Sequence, residues 1–301
     1  MDTGANGLPD CYTVGVVVAL AALAAVFYGV SDYFGGRSAR RIPAVTAALI
    51  GEVVLLGGAV LLVGLDDTPM TARALAWGVV AGIGGVGGVV LFYAALAHGS
   101  MSVAAPVTGV VSAVLPVAIG LLIGERPGTT ALIGIAIALL AVVLVGGAGG
   151  GGGVSPRQLA LSLAAGTAFG GWFIALERAG DDSGWWPLLG SRLFGAPALI
   201  VAQIILTRHR GRRERVVIHP WQDRIAIAWS VSAAVVILAA NITYLIAVRQ
   251  GLLSIVAVIV SLYPASTVVL AVVIDRERLR PGQVVGLGLA VVALSLVAGA
   301  T

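Results

Sequence analysis

The sequence predicts an all-α membrane protein of ten transmembrane helices, arranged as two inverted five-helix repeats. Three observations carry that expectation. Hydrophobic residues make up 59% of the chain and charged residues 11%, with a mean hydropathy of +1.04. A soluble domain carries roughly a quarter charged residues, so this chain has too little polar surface to cover itself in water and belongs in a bilayer. The second observation is a duplication. Gly99 to Gly147 lies over Gly251 to Gly299 without a gap, placing Ser102 on Ser254, Glu125-Arg126 on Glu277-Arg278 and Gly134 on Gly286. Alanine and valine matches are cheap in so apolar a chain, but a tandem acid–base pair is not. Upstream, Tyr93 and Ala95 answer Tyr244 and Ala247 with a one-residue slip. The third observation is an arginine bias that reverses between the halves.

Taken in order, ten apolar runs cover 14–34, 43–64, 74–97, 102–123, 129–148, 157–177, 185–206, 224–247, 252–274 and 281–299. Each is near the length, about 20 residues, that spans a hydrocarbon core. Gly-Gly-Arg at 35–37, Asp-Asp-Thr-Pro at 66–69, Arg-Pro-Gly at 126–128 and Asp-Asp-Ser-Gly at 181–184 punctuate the runs. The segment before the first run, Met1 to Asp10, has two aspartates and no basic residue. It lacks the positive n-region of a cleaved signal peptide, so the first run is expected to remain as a helix. Gly146 to Gly153 is nearly all glycine. It reads as a flexible connection, dividing a first repeat at 1–148 from a second at 157–301 with a linker at 149–156.

Five helices per half turn the second copy upside down. The loop after the first run carries Arg37, Arg40 and Arg41, whereas its counterpart sets Arg178 against Asp181 and Asp182. The loop after the second run has Asp66, Asp67 and Arg73; its counterpart carries Arg208, Arg210, Arg212, Arg213, Arg215 and Arg224. The fourth run is followed by Arg126 and the ninth by Arg276, Arg278 and Arg280. Reversal in each pair is what inversion requires under the positive-inside rule. The same rule places the 208–224 loop in the cytoplasm and both termini outside. All eighteen basic residues are arginines scattered through short loops, so the pI near 9.7 does not indicate a nucleic-acid partner. Cys11 is the single cysteine. It excludes an internal disulfide or a cysteine metal site.

The residues resemble the EamA-type transporters of the drug/metabolite transporter superfamily. The resemblance rests on Tyr28-Gly29 and Phe169-Gly170 with Arg37 and Arg178 nearby. It continues through Ala95, Gly99 and Ser102 against Ala247, Gly251 and Ser254, then Pro264, Gly124-Glu125-Arg126 and Glu277-Arg278. Asp275-Arg276 stands where the family has glycine before the second glutamate, and the first-half prolines fall at Pro106 and Pro116. The resemblance covers almost the whole chain. It implies the two-repeat fold and a metabolite transporter in the cell membrane, without fixing the substrate.

Polar groups at membrane depth are costly and mark pathways or partnered sites. Glu52 lies within the second run and Arg192 within the seventh; aligned at Pro43 and Pro187, they differ in depth by about one helical turn. They are either a polar pair in a central cavity, with Glu52 taking a proton or amine and Arg192 a carboxylate, or a structural ion pair across the repeat interface. Asp32 is either a second proton-coupling carboxylate or an interfacial partner of Arg37. Asn241 and Gln203 either hydrogen-bond a ligand or link helices. Tyr28, Tyr93, Trp172 and Tyr244 line a cavity or belong to the headgroup belt, where Trp185, Trp186 and Trp221 are placed. Glu125, Arg126, Glu277 and Arg278 read as a structural motif that clamps helix ends. Gly82, Gly84, Gly85, Gly87 and Gly88 permit either close packing or bending of the third helix. Pro106, Pro116 and Pro264 are hinges or fixed kinks.

The expected function is secondary active transport of a small, amino-acid-like or otherwise polar or amphipathic solute. It is expected to be export by alternating access, with proton coupling through Glu52 or Asp32. A lipid or lipid-linked-sugar flippase on the same fold is the alternative. A membrane-embedded lipid-modifying enzyme is the third reading and would need a clustered acid, base or metal set; against it, the paired acids Asp66-Asp67 and Asp181-Asp182 lack nearby histidines, and His98, His209 and His219 have no ligand spacing. No cofactor or metal is expected. The partners are the solute and the bilayer, with monomer and homodimer both open.

Overall fold

The computed structural model describes residues 11–96, 98, 101–145, 155–210, 223–276 and 280–298. Glu277, Arg278, Trp221 and most of the glycine linker lie outside the described residues. So do the side chains of Tyr93 and Pro106. The first half contains α1 (Cys11–Ala39), α2 (Ala44–Gly64), α3 (Ala72–Leu96), α4 (Met101–Leu122) and α5 (Thr129–Val145). The second contains α6 (Pro156–Arg178), a 3-10 turn (Asp181–Ser183), α7 (Trp186–Arg210), α8 (Arg224–Gln250), α9 (Leu253–Val260), α10 (Tyr263–Asp275) and α11 (Pro281–Ala298). Among the described residues, seven spans are long and apolar enough to cross a membrane, α9 and α10 counting together as one, and α4, α5 and α7 supply shorter apolar stretches.

Side chains such as Val53, Leu61, Val273 and Val291 are exposed around the outside, where acyl chains replace water. Inside, small residues let backbones approach. A Cβ at Gly82 would stand 2.5 Å from the Ser191 carbonyl and one at Gly84 2.7 Å from the Ala168 carbonyl. A close-packed α3, wedged between α6 and α7, follows from those contacts.

Contacts between the halves give the direction of every span. α1 runs antiparallel to α8, because Val17 meets Gly251 while Ser38 bonds Ser230. α2 runs with α8 (Gly51 against Ala234, Gly58 against Leu238) and against α7 (Thr46 to Gln203, Glu52 to Arg192). α3 opposes α6, with Arg73 bonded to the Arg178 carbonyl and Gly88 on Phe169. α4 runs with α6 (Val111 at Gly166, Leu115 at Gly170), α10 with α1 (Ser266 to Ala25, Thr267 to Gly29), and α5 against α11 (Gly134 at Val297, Val145 at Gly286). Each helix of the first half therefore points opposite to its copy in the second. The pairings also exchange under the repeat: α1 with α8 matches α6 with α3, and α1 with α10 matches α6 with α4. The two repeats are inverted and interleaved.

The ninth span departs from the expected continuous helix. It breaks at Ser261-Leu262, upstream of Pro264, which instead sits in the first turn of α10. Pro264 has no N–H for the Val260 carbonyl and its ring would collide with that carbonyl, so α9 ends at Val260. Ser261 N–H bonds the Ala257 carbonyl at 2.9 Å and its hydroxyl donates to Val258 O at 2.7 Å, satisfying the loose end. Pro116, by contrast, is buried within an unbroken α4. Helix α6 begins at Pro156, inside the last residue assigned to the linker.

Candidate functional site

Two inverted repeats place the middles of α2 and α7 against each other, and with them the two ionisable residues at membrane depth. Arg192 Nη1 donates to Glu52 Oε2 at 3.0 Å, and Arg192 Nε donates to Ser191 Oγ at 3.1 Å. Glu52 is 4% exposed, and its other oxygen, Oε1, is buried without a hydrogen-bond partner among the described residues. Gly195 leaves room for that oxygen, since a Cβ there would stand 2.7 Å from it. An unpartnered carboxylate oxygen at this depth is costly. It is an acceptor awaiting a donor.

Tyr28 of α1 lies within electrostatic reach of Arg192. Its hydroxyl donates to Asn241 Oδ1 at 2.7 Å. Its ring meets Trp172 and Phe173 edge-on, with centroids 6.3 and 6.5 Å away, and lies 6.4 Å from Tyr263. Such edge-to-face geometry suits the ring quadrupoles. Tyr244 stands behind Trp172 and Phe173, fully buried, and its hydroxyl donates to the Phe173 carbonyl at 3.0 Å. It supports the aromatic wall from the back. Asp32, one turn along α1 from Tyr28, is exposed. Among the described residues Asp32 makes no ion pair; Arg37 pairs with Asp275 of α10 instead.

The structure thus pairs Glu52 with Arg192 and groups Tyr28 with Asn241 and Trp172, with Asp32 one turn along α1 from Tyr28. Phe173 and Tyr263 join the aromatic wall unannounced. The only sequence signals for them were adjacency to Trp172 and to Pro264. Gln203 bonds Thr46 Oγ1 at 3.1 Å and so links α7 to α2. Trp186 donates to the Thr68 carbonyl at 2.9 Å, tying a loop at one end.

Glu125 acts away from this centre. Its carboxylate accepts from the backbone N–H of Leu253 at 2.6 Å and of Ser254 at 3.0 Å, capping α9 from the other repeat. Arg126 bonds the Leu121 and Glu125 carbonyls at the end of α4. Outside the membrane, hydrogen bonds from Thr68 hold the Asp66 carboxyl below the usual carboxylate range. Asp223 is likewise held low, first by the Ala226 N–H and then by Arg41.

The EamA-like transporter family profile matches residues 15–147 and again 157–299. No curated protein matches the chain at a significant level. One solved crystal structure is similar at a TM-score of 0.71 and 18% identity, over 93% of this chain and 95% of that one; at such identity the likeness speaks for the fold alone. With nearly every residue inside one of two copies of the profile, the chain belongs to the EamA-like transporter family.

Proposed function

We propose that the protein exports a small, polar or amphipathic, amino-acid-like solute by alternating access, with a proton as the coupling ion. The observation that carries this reading is the half-used carboxylate of Glu52 beside Arg192. The pair offers an acceptor for an ammonium and a planar guanidinium donor for a carboxylate. The surrounding rings supply an apolar wall for the rest of the solute. A zwitterion entering the site would exchange one buried ion pair for two, so its binding need not leave a bare charge in the membrane. Protonation of Glu52 or Asp32 would remove one member of that arrangement and release the solute.

A groove opening sideways to lipid would favour the flippase alternative. One exists between α1, α10 and α11, but its lining is apolar. Its polar side chain, Ser266, already donates to the Ala25 carbonyl, so the groove offers a crossing headgroup little to bind, which favours the solute reading.

The test is solute counterflow in proteoliposomes under a pH gradient, using a panel of amino acids. Glu52→Gln is expected to retain counterflow but lose its pH dependence. Unchanged coupling in Glu52→Gln transfers the role to Asp32. Unchanged coupling in both Glu52→Gln and Asp32→Asn eliminates the proton.

A further inference from the structure

We propose that the outer face of α1 holds an anionic phospholipid, with an acyl chain in the lateral groove and the headgroup phosphate on Arg37, Arg40 and Arg41. The groove, about 460 Å³, is lined by Ala22, Val26 and Val30 of α1 and by Val269, Leu287 and Leu294 of α10 and α11. Its volume lies in the range of ordinary ligand cavities, ~300–1,000 Å³. At 100° per residue, Ala22, Val26, Val30, Tyr33 and Arg37 fall on one stripe of α1, and Arg40 and Arg41 continue it. The stripe therefore runs apolar, then aromatic, then cationic, which is the order of chain, glycerol region and phosphate in a phospholipid. Val30 and Arg37 are seven residues apart, about 10 Å along the axis.

At the charged end Arg37, Arg40, Arg41 and Trp229 enclose a second hollow of about 220 Å³. Arg37 stacks over Tyr33 and Trp229, at 5.3 and 5.5 Å from the ring centroids. Tyr33, Arg37 and Asp275 interact with one another, which anchors the Arg37 guanidinium at the rim of this hollow. Two acids temper the charge: Asp275 pairs with Arg37, and Asp223 with Arg41 at 2.9 Å. Arg40 is exposed and makes no ion pair among the described residues. Arg224, Arg276 and Arg280 add to the excess at the same end. That end is the cytoplasmic one under the positive-inside rule, and the cytoplasmic leaflet carries anionic lipid that basic pockets between helices recognise.

This inference does not depend on the nature of the solute. Native mass spectrometry of the detergent-purified full chain would compare retention of phosphatidylglycerol and phosphatidylcholine of equal chain length. Phosphatidylglycerol is expected to bind more tightly, with a loss of about fivefold for each arginine removed, so that R40Q/R41Q abolishes the preference. Val26→Trp, at the groove's outer edge, is expected to weaken phosphatidylglycerol without altering circular dichroism. R40Q alone, at an exposed and unpaired position, supplies the reading if the double variant fails to fold. Equal retention of both lipids in the native protein would overturn the proposal, as would a preference unchanged by R40Q. Inorganic phosphate displacing the lipid completely would assign the hollow to a free anion and overturn it as well.

Discussion

Glu52 gives one oxygen to Arg192 and leaves the other without a donor, and that inequality governs how substitutions at the pair behave. Replacing Arg192 with leucine strands a carboxylate at membrane depth. The expected loss is about 3–5 kcal/mol of stability, the cost of breaking a buried pair from one side. Replacing both with leucine removes the stranded charge and is expected to restore most of the stability while abolishing transport. Thermal unfolding in detergent alongside counterflow separates the two effects; equal stability of R192L and the double variant would contradict a coupled pair. The pairing itself was legible in the sequence. Two ionisable residues at similar depth in corresponding helices had nowhere else to go. Asp32 differs: Arg37, the partner expected for it as an interfacial aspartate, reaches Asp275 on α10 instead. That contact depends on which helix of the other half lies beside α1, and no spacing along the chain encodes it. Tyr263 was missed for the same reason.

At the scale of the element, the informative features are helix ends. Glu125 caps α9 across the repeat boundary, so Glu125→Ala leaves two backbone donors without partners. The expected cost is about 1–2 kcal/mol, with Glu125→Gln intermediate; the melting temperatures of the purified variants give the ranking. The matched Glu-Arg pairs announced a structural clamp, but only the fold identifies what Glu125 grips. Asp223 caps α8 with bonds to Ile225 N–H at 3.1 Å and Ala226 N–H at 3.0 Å. Because its folded pKa lies below its unfolded one, the unfolded chain binds the proton more tightly and stability rises with pH through that window. The contribution is complete above the ordinary aspartate value near ~4 and disappears as pH falls through the lowered native value. Asp66 acts in the same direction. Melting temperature should therefore drop on acidification from neutrality to about pH 3, and less steeply in Asp223→Asn, which keeps the cap geometry but not the titration.

For the whole molecule, the two repeats are interleaved rather than side by side. α1 lies on α8, α3 on α6 and α5 on α11, so each half buries its most intimate faces against the other. Residues 1–148 and 149–301 expressed as separate chains are expected to co-purify as one complex when produced together, and to aggregate or be degraded when produced singly. Stable monodisperse halves would refute interleaving. Duplication and inversion were readable from residue spacing and arginine placement, because insertion physics acts on loops directly. The interleaving was not, since apolar faces in lipid carry little record of which neighbour they meet.

The break between α9 and α10 has no counterpart in the first half, where α4 runs through from Met101 to Leu122. The broken span sets the negative pole of one half-helix against the positive pole of the next, within reach of the Tyr28 ring through Tyr263. An exchange of conformations that swaps the roles of the two repeats thus trades a jointed strut for a solid one. If the protein works by the alternating access proposed above, its inward-facing and outward-facing shapes are not mirror images in energy, and the empty carrier has a preferred side on which to wait.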